Sequence, residues 1–373
     1  MDQRKLRLGF VAATAALALA LVLPLAPQTL PLPAHPMVWP VVGAAGAFFI
    51  LAALLSDQRA TIPGLAGAAL AAAASLMLLD DPAVAGSARA GFWMIVIACW
   101  LSAALGVINL AGTCRVRGKR QRTIDLLVPL LFGLTVFHLW EVAVRGFGVP
   151  PVLLPAPSSA ATKFIHSLPI LGADFVQTFV RGVLAGYVIG CGAGLLVAIL
   201  AHRYAFLGRG LLPLGNFFSA LPLVGVAPIM VMWFGFDWPS KAAVVVLVTF
   251  FPMLVNAIAG LNAAGHIERD LMRSYGATHS QALTKLYLPA ALPFIFNALK
   301  INATLALIGA IVAEFFGTPT QGIGFRISTE AGRMAIDMVW AEIALAALAG
   351  MAFYGFVTLA ERATTFWHPS YRT

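Results

Sequence analysis

Apolar residues along this chain gather into runs of about 20, the length that carries an α-helix across a hydrocarbon core about 30 Å thick. Short polar or proline-rich connections separate them. Four runs near 7–24, 38–55, 62–79 and 92–111 form a first group, and a fifth near 125–145 opens a second. Further runs follow near 176–201, 210–236, 241–263, 290–317 and 338–360. The pattern predicts an all-α, polytopic membrane fold with about ten transmembrane helices, four N-terminal and six in the second group.

Composition sharpens this reading. With 60% hydrophobic and 10% charged residues, the chain falls far below the roughly 25% charge of a water-soluble domain. In the alternating topology most of the 24 Lys and Arg face one side, which assigns that side, with both the N- and the C-terminus, to the cytoplasm. The net charge of +9 therefore calls for no nucleic-acid partner, only for the lipid bilayer. Arg115, Arg117, Lys119, Arg120 and Arg122 read as a basic cytoplasmic linker, 115–124, between an N-terminal membrane domain, 1–114, and a second domain, 125–373. The basic start followed by an apolar run shows no convincing cleavage site and is taken as a retained first helix. Cys99, Cys114 and Cys191 are odd in number and predict no disulfide framework. Gly118-Lys119 lacks the full phosphate-loop spacing, and neither a nucleophile elbow nor a metal-spaced His/Cys cluster occurs. No catalytic residue, metal site or bound cofactor is expected of this chain.

Within the second domain, Ser158 or Ser159 is placed to cap a short amphipathic helix after Pro155 and Pro157. Gly182, Gly186, Gly190 and Gly194 repeat every four residues and lay a stripe for close helix approach. Pro213, Pro222 and Pro228 with Gly215, Gly225 and Gly235 predict a broken helix over 210–236. Such a helix is either a wall of a polar cavity or a proline kink that serves packing. Asn256, Asn297, Asn302 and Thr304 offer uncharged polar groups that line a path or tie helices together. Lys300 and Glu314 are ionisable groups in apolar runs. Lys300 has the reach to snorkel to the inner headgroups, and Glu314 to meet outer water or an arginine such as Arg326. Residues around Gly322 to Arg333 read as an outer loop.

The one densely patterned polar stretch is His266 to Pro289. Ile267, Leu271, Met272 and Tyr275 share a helical face, Gly276 stands where a helix ends in positive φ, and Thr278 with Gln281 has capping-box spacing. Ala282, Leu283, Leu286 and Tyr287 start a second helix, which Pro289 is expected to close. Asp270, Gly276-Ala277 and Leu286-x-Leu288-Pro289 resemble the cytoplasmic signature of ABC importer permeases, although Asp270-Leu271-Met272 stands where the family usually has Glu-Ala-Ala. With PAALPFIFNALKINATLALIGAIVAEFFGT downstream and ALPLVGVAPIMVMWFGF upstream, the likeness points to the nitrate, sulfonate and taurine branch, and it covers roughly the last two-thirds of the chain.

The resemblance implies a six-helix type I importer permease core in the bacterial inner membrane, whose coupling loop, 264–289, sits in a cleft of a separate ABC ATPase. Asp270, Arg273, Gly276, Ala277, Leu286, Leu288 and Pro289 are its implied contact residues. Pro222, Pro228, Asn256, Asn297, Asn302, Thr304 and Glu314 are the candidates for the translocation path. ATP-Mg would be held by an ATPase homodimer, a periplasmic binding protein would deliver the solute, and one loop per chain favours a permease homodimer. A sulfonate, taurine or nitrate-like anion is the expected cargo. A vitamin or pyrimidine-type precursor is the alternative. An ion-coupled secondary transporter using Glu314 or Glu141, and a non-transporting scaffold, are the rival classes.

Overall fold

The structure, a computed structural model, describes residues 3–27, 32, 35–55, 57–112, 119–219, 221–317 and 320–367. Among these the chain is helical, with no strand. Eight helical stretches are long and apolar enough to cross a membrane, and two apolar helices of 16 and 12 residues, Trp39–Leu54 and Leu223–Phe234, are shorter. The fold is all-α and polytopic. The chain divides into two compact units, Met1–Ala161 and Thr162–Thr373.

The first unit contains α1 (Gln3–Val22), α2 (Trp39–Leu54), α3 (Thr61–Leu79), α4 (Ala90–Gly112) and α5 (Lys119–Phe147). Helices α1 to α4 pack pairwise, and α5 lies on α3 and α4. Phe10, Phe49 and Phe92 are fully buried. Two of them fit because the opposing positions are glycines: a methyl group at Gly64 would stand 2.6 Å from the Phe10 ring, and one at Gly67 would stand 2.5 Å from that of Phe49. The helical run of α5 begins at Lys119, so the second half of the expected 115–124 linker is helix; residues 113–118 lie outside the described residues. Lys and Arg are good helix formers, and the apolar run after Ile124 propagates back through them. Glu141 on α5 is buried and hydrogen-bonded. It accepts from the Ser158 backbone N–H (2.9 Å) and hydroxyl (2.7 Å), while Arg145 donates to Asp80 at 2.9 Å and to the Leu79 carbonyl at 2.8 Å. A carboxylate on a neighbouring helix thus caps α6 (Pro157–His166), the role expected of Ser158 or Ser159.

The second unit is built around α11 (Trp238–Asn262). Before it come α7 (Leu168–Phe175), a π-helical stretch Val176–Leu184, α8 (Ala185–Arg203), α9 (Ala205–Ser219) and α10 (Leu223–Phe234). After it come α12 (His266–Ser274), α13 (His279–Ala282), α14 (Leu288–Glu314), α15 (Ile323–Gly332) and α16 (Ile336–Thr364). Helix α11 packs along α8 and α14, and its N-terminus is capped by Asp237, which accepts the Trp238 N–H at 2.7 Å. That N–H holds the Asp237 carboxyl below the usual carboxylate range.

The glycine stripe on α8 faces α11 as its spacing implies. A methyl group at Gly186 would lie 2.7 Å from the Ala242 carbonyl oxygen, one at Gly190 would lie 2.9 Å from Val246, and one at Gly194 would lie 2.6 Å from the Phe250 carbonyl oxygen. Backbone therefore meets backbone along two turns, where dispersion contacts substitute for the hydrophobic drive that lipid does not supply. The break in 210–236 falls as expected, with Pro222 as the N-cap of α10 and Pro228 inside it. Two expectations are corrected. The stretch from Gly322 to Arg333 is chiefly a helix, α15, packed on α16 and α7, because its short apolar face finds a buried seat at Ile323 and Gly324. The helix after Thr278 does not close at Pro289 but runs on to Glu314.

Candidate docking site

The elbow between α11 and α14 is assembled from local chemistry. Helix α11 ends at Asn262, leaving carbonyls without intrahelical partners. Arg269 takes them: its Nε donates to the Ala264 carbonyl at 2.9 Å, and Nη2 donates to the carbonyls of Asn262 at 2.9 Å and Ala264 at 2.5 Å. This side chain clamps α12 to the end of α11. The only signal for it in the sequence is a cation placed a few residues beyond a helix end.

Helix α12 ends in a Schellman motif. The Gly276 N–H bonds to the Arg273 carbonyl at 2.9 Å, the Ala277 N–H reaches the Met272 carbonyl at 3.0 Å, and Gly276 sits at φ +64°. Thr278 then opens α13 with a reciprocal capping box. The Gln281 N–H donates to Thr278 Oγ1 at 3.4 Å, and the Thr278 N–H donates to Gln281 Oε1 at 2.9 Å. Two opposed helix ends, each self-satisfied, fix the angle between α12 and α13 without outside help.

Pro289 is accommodated by a widened turn. Leu283–Tyr287 is π-helical, and the Leu288 N–H bonds to the Leu283 carbonyl five residues back. Proline has no N–H and its ring collides with the carbonyl four residues earlier; shifting the ladder to five-residue spacing just before it makes room for the ring. The elbow is therefore continuous with a 36-residue helical run, His279–Glu314.

The outer face of the elbow is apolar and open. Ile267, Leu271 and Tyr275, at four-residue spacing, are 69%, 54% and 81% exposed. Asp270 and Arg273 flank them, 3.7 Å apart and exposed. Gly276 is also exposed, and Ala277, Leu286, Leu288 and Pro289 are partly covered. Leu283, Tyr287 and Leu288 pack against the core cluster that includes Ala291 and Ile295, so one side of the elbow belongs to the bundle while the other is open.

At the opposite end of α11 and α14 lies a buried polar lattice. Asp174, fully buried, accepts from Arg326 Nε at 2.9 Å and from the Gly322 N–H at 2.6 Å. Glu314, 2% exposed, accepts from the Thr178 hydroxyl at 2.8 Å and from the Gly324 N–H at 2.7 Å. The Lys241 ammonium, buried, donates to the carbonyls of Phe236 and Gly317. Gln177 donates to Asp237 at 2.9 Å. The expected partner of Glu314, Arg326, is bound to Asp174 instead. Burying these charges is tolerable because each meets an opposite charge or several dipoles. The signal in the sequence was Asp174, Gln177, Thr178 and Arg181 recurring on one helical face within an otherwise apolar run.

The remaining path candidates do not converge. Asn302, fully buried, donates to the Thr249 carbonyl at 2.8 Å and to Cys191 Sγ at 3.2 Å, tying α14 to α11 and α8. Asn256 donates to the Pro252 carbonyl at 2.8 Å, and Thr304 donates to the Ile301 carbonyl at 2.8 Å. Asn297 and Thr304 are exposed on α14. Lys300, expected to snorkel to the inner headgroups, pairs instead with Glu361 of α16 at 2.8 Å.

Comparison with known proteins bears on this arrangement. Residues 190–366 match the family described as the binding-protein-dependent transport system inner membrane component. The formylaminopyrimidine transport permease protein ThiX of Halalkalibacterium halodurans is 30% identical over 247 residues, 66% of this chain and 98% of that protein. This chain belongs to that family of ABC importer permeases, in its nitrate, sulfonate and taurine branch. The putative aliphatic sulfonates permease SsuC of Bacillus subtilis is 30% identical over 245 residues, 65% of this chain and 88% of that protein. The taurine permease TauC of Escherichia coli is 28% identical over 266 residues, 67% of this chain and 91% of that protein. The permease is thus a transport subunit rather than an enzyme, and its family works with ATPase and binding-protein partners. The elbow lies wholly within the family match at 190–366, and residues 1–161 lie outside that match.

Proposed function

We propose that the elbow 264–289 is the seat of a separate ATP-hydrolysing subunit, which holds the ATP-Mg, and that movement of this seat opens and closes the permease. The observation that carries the reading is the exposed Ile267, Leu271 and Tyr275 stripe on a helix whose two ends are locked, by Arg269 and by the Gly276 turn. A handle must present surface to its driver and must not slip against its own bundle. Asp270 and Arg273 at the rim set register, and Ala277, Leu286, Leu288 and Pro289 carry the displacement into α14. Each chain presents one such elbow, so two ATPases pair with a permease homodimer in the bacterial inner membrane, both termini cytoplasmic. Transport belongs to residues 125–373, with 1–114 as an accessory membrane domain.

For the path we keep Pro222, Pro228, Asn256, Asn297, Asn302, Thr304 and Glu314, with the break at Pro222 as its wall, and Asn302 and Glu314 acting as fixed supports. The cargo is a small anion of the sulfonate, taurine or nitrate kind, handed over by a periplasmic binding protein. The likeness to a formylaminopyrimidine permease favours a second reading, a pyrimidine-type precursor. Proton coupling is disfavoured, since Glu141 and Glu314 each spend both carboxylate oxygens on fixed donors. Uptake into inverted-free, right-side-out vesicles, with binding protein added outside, is expected to require internal ATP and to persist with an uncoupler. Uptake that ignores ATP and collapses with the proton gradient contradicts the proposal.

A further inference from the structure

The buried polar lattice at the end of α11 and α14 away from the elbow does not balance in charge. Three of its acids are buried, Asp174, Glu314 and Glu342. Two cations answer them, Lys241 and Arg326. The acids around them have partners of their own: Glu330 pairs with Arg333 at 3.2 Å, Asp337 pairs with Lys163 at 3.4 Å, and the exposed Asp237 faces Arg181. Among the described residues the lattice is one positive charge short.

The shortfall sits at Glu342. This residue lies on the second turn of α16, fully buried, and neither of its carboxyl oxygens meets a hydrogen-bond donor among the described residues. Its hydrogen-bonding neighbour is another acid, Asp174 of α7. Two ionised carboxylates are acceptors only, so this contact becomes a hydrogen bond when one of the two carries a proton. Like charges so close cannot both ionise. Asp174 already receives Arg326 through Nε at 2.9 Å and Nη2 at 3.4 Å, together with the Gly322 N–H at 2.6 Å, a set of donors that suits an anion. Glu342 receives none of these, which suits the neutral acid. A divalent cation fits poorly in place of the proton, because it requires about six oxygen ligands. Among the described residues no group of three or more His, Cys, Asp or Glu could hold one.

We propose that the Asp174–Glu342 pair is a proton site, in which one resident proton, carried by Glu342 and donated to Asp174, latches α16 to α7. Asp174 from α7, Arg326 from α15 and Glu314 from α14 face Glu342, and Glu330 of α15 acts on it through Arg326. The proton is a fixed part of the fold and is not carried during uptake, so the latch stands whether or not the elbow seats an ATPase. Unfolding exposes Glu342 to water, where an ordinary glutamate loses its proton above about pH 4.3. The native state then holds one proton more than the unfolded chain, and stability falls as pH rises from there until Glu342 ionises in the folded protein.

The test reads the proton directly. Full-length protein in an ester-free maltoside detergent is examined by infrared spectroscopy at neutral pH, in ordinary and in heavy water. The wild type is expected to show a carboxylic acid carbonyl band that shifts down in heavy water and is missing from Glu342→Gln, whose amide keeps a donor for Asp174. Asp174→Asn supplies Glu342 with an amide donor and frees Arg326, and is expected to lose the band as well. Denaturant titrations give a second reading. Between mildly acidic and neutral pH the folding constant of the wild type is expected to fall about tenfold per pH unit relative to that of Glu342→Gln, the effect of one proton. Absence of the acid band from the wild-type protein overturns the proposal, as does its persistence in either variant. Folding constants with parallel pH dependence overturn it too, and so does wild-type stability that follows added calcium in place of acid. The band in wild-type protein needs no variant to fold.

Discussion

Gly276→Val is expected to reduce ATP-driven uptake by more than about tenfold while leaving the amount of inserted, folded permease unchanged. The residue sits at φ +64°, and a Cβ there would meet nothing within 4 Å, so the penalty is conformational and not steric crowding against the bundle. For a β-branched residue the left-handed region is strongly disfavoured, at a cost of about 1–2 kcal/mol or more. The cheapest escape is a different turn, which breaks the Gly276 and Ala277 hydrogen bonds and re-aims α12 relative to α13. The core of the unit, centred on α8, α11 and α14, does not feel this change. Gly276→Asn, which tolerates left-handed backbone, is expected to keep a large part of the activity. The comparison is read from uptake rates alongside thermal unfolding of the detergent-purified protein. A Gly276→Val permease with normal uptake, or one that fails to fold, is the contrary outcome.

The second large effect concerns stability at the far end of the same helices. Asp174→Ala is expected to destabilise the permease by about 3–5 kcal/mol, the usual cost of removing one member of a buried ion pair. It strands the partly buried Arg326 guanidinium and leaves the Gly322 N–H without its acceptor. The double variant Asp174→Ala/Arg326→Ala is expected to fall short of the sum of the single losses by about 1–3 kcal/mol, because the two residues interact directly. Denaturant midpoints measured on the three variants decide this. Additive losses would mean that the pair contributes little beyond two independent side chains.

How much of this was legible in the sequence varies with the physical rule involved. The Gly276 turn and the Thr278–Gln281 box were readable because a helix end is settled within five residues, and both lie where the spacing puts them. The Gly186, Gly190 and Gly194 stripe was readable because a missing side chain has meaning on one helix face alone. Pro289 misled because the rule that proline ends a helix omits the remedy found here, a π-turn four residues earlier. Arg326 was matched with the wrong carboxylate since sequence offers Glu314 and Asp174 as equals, and only packing of α15 on α7 chooses between them. The clamp by Arg269 depends on where α11 stops, a boundary that apolar periodicity locates poorly.

The most direct measurement of the central claim places a photo-crosslinking amino acid at Tyr275, the most exposed member of the α12 stripe. The permease is co-expressed with the ATPase that supports its uptake and irradiated in the membrane. The account predicts a crosslink to that ATPase, with a yield that changes when non-hydrolysable nucleotide replaces ATP. A preparation that imports its solute normally while Tyr275 crosslinks only to lipid contradicts it.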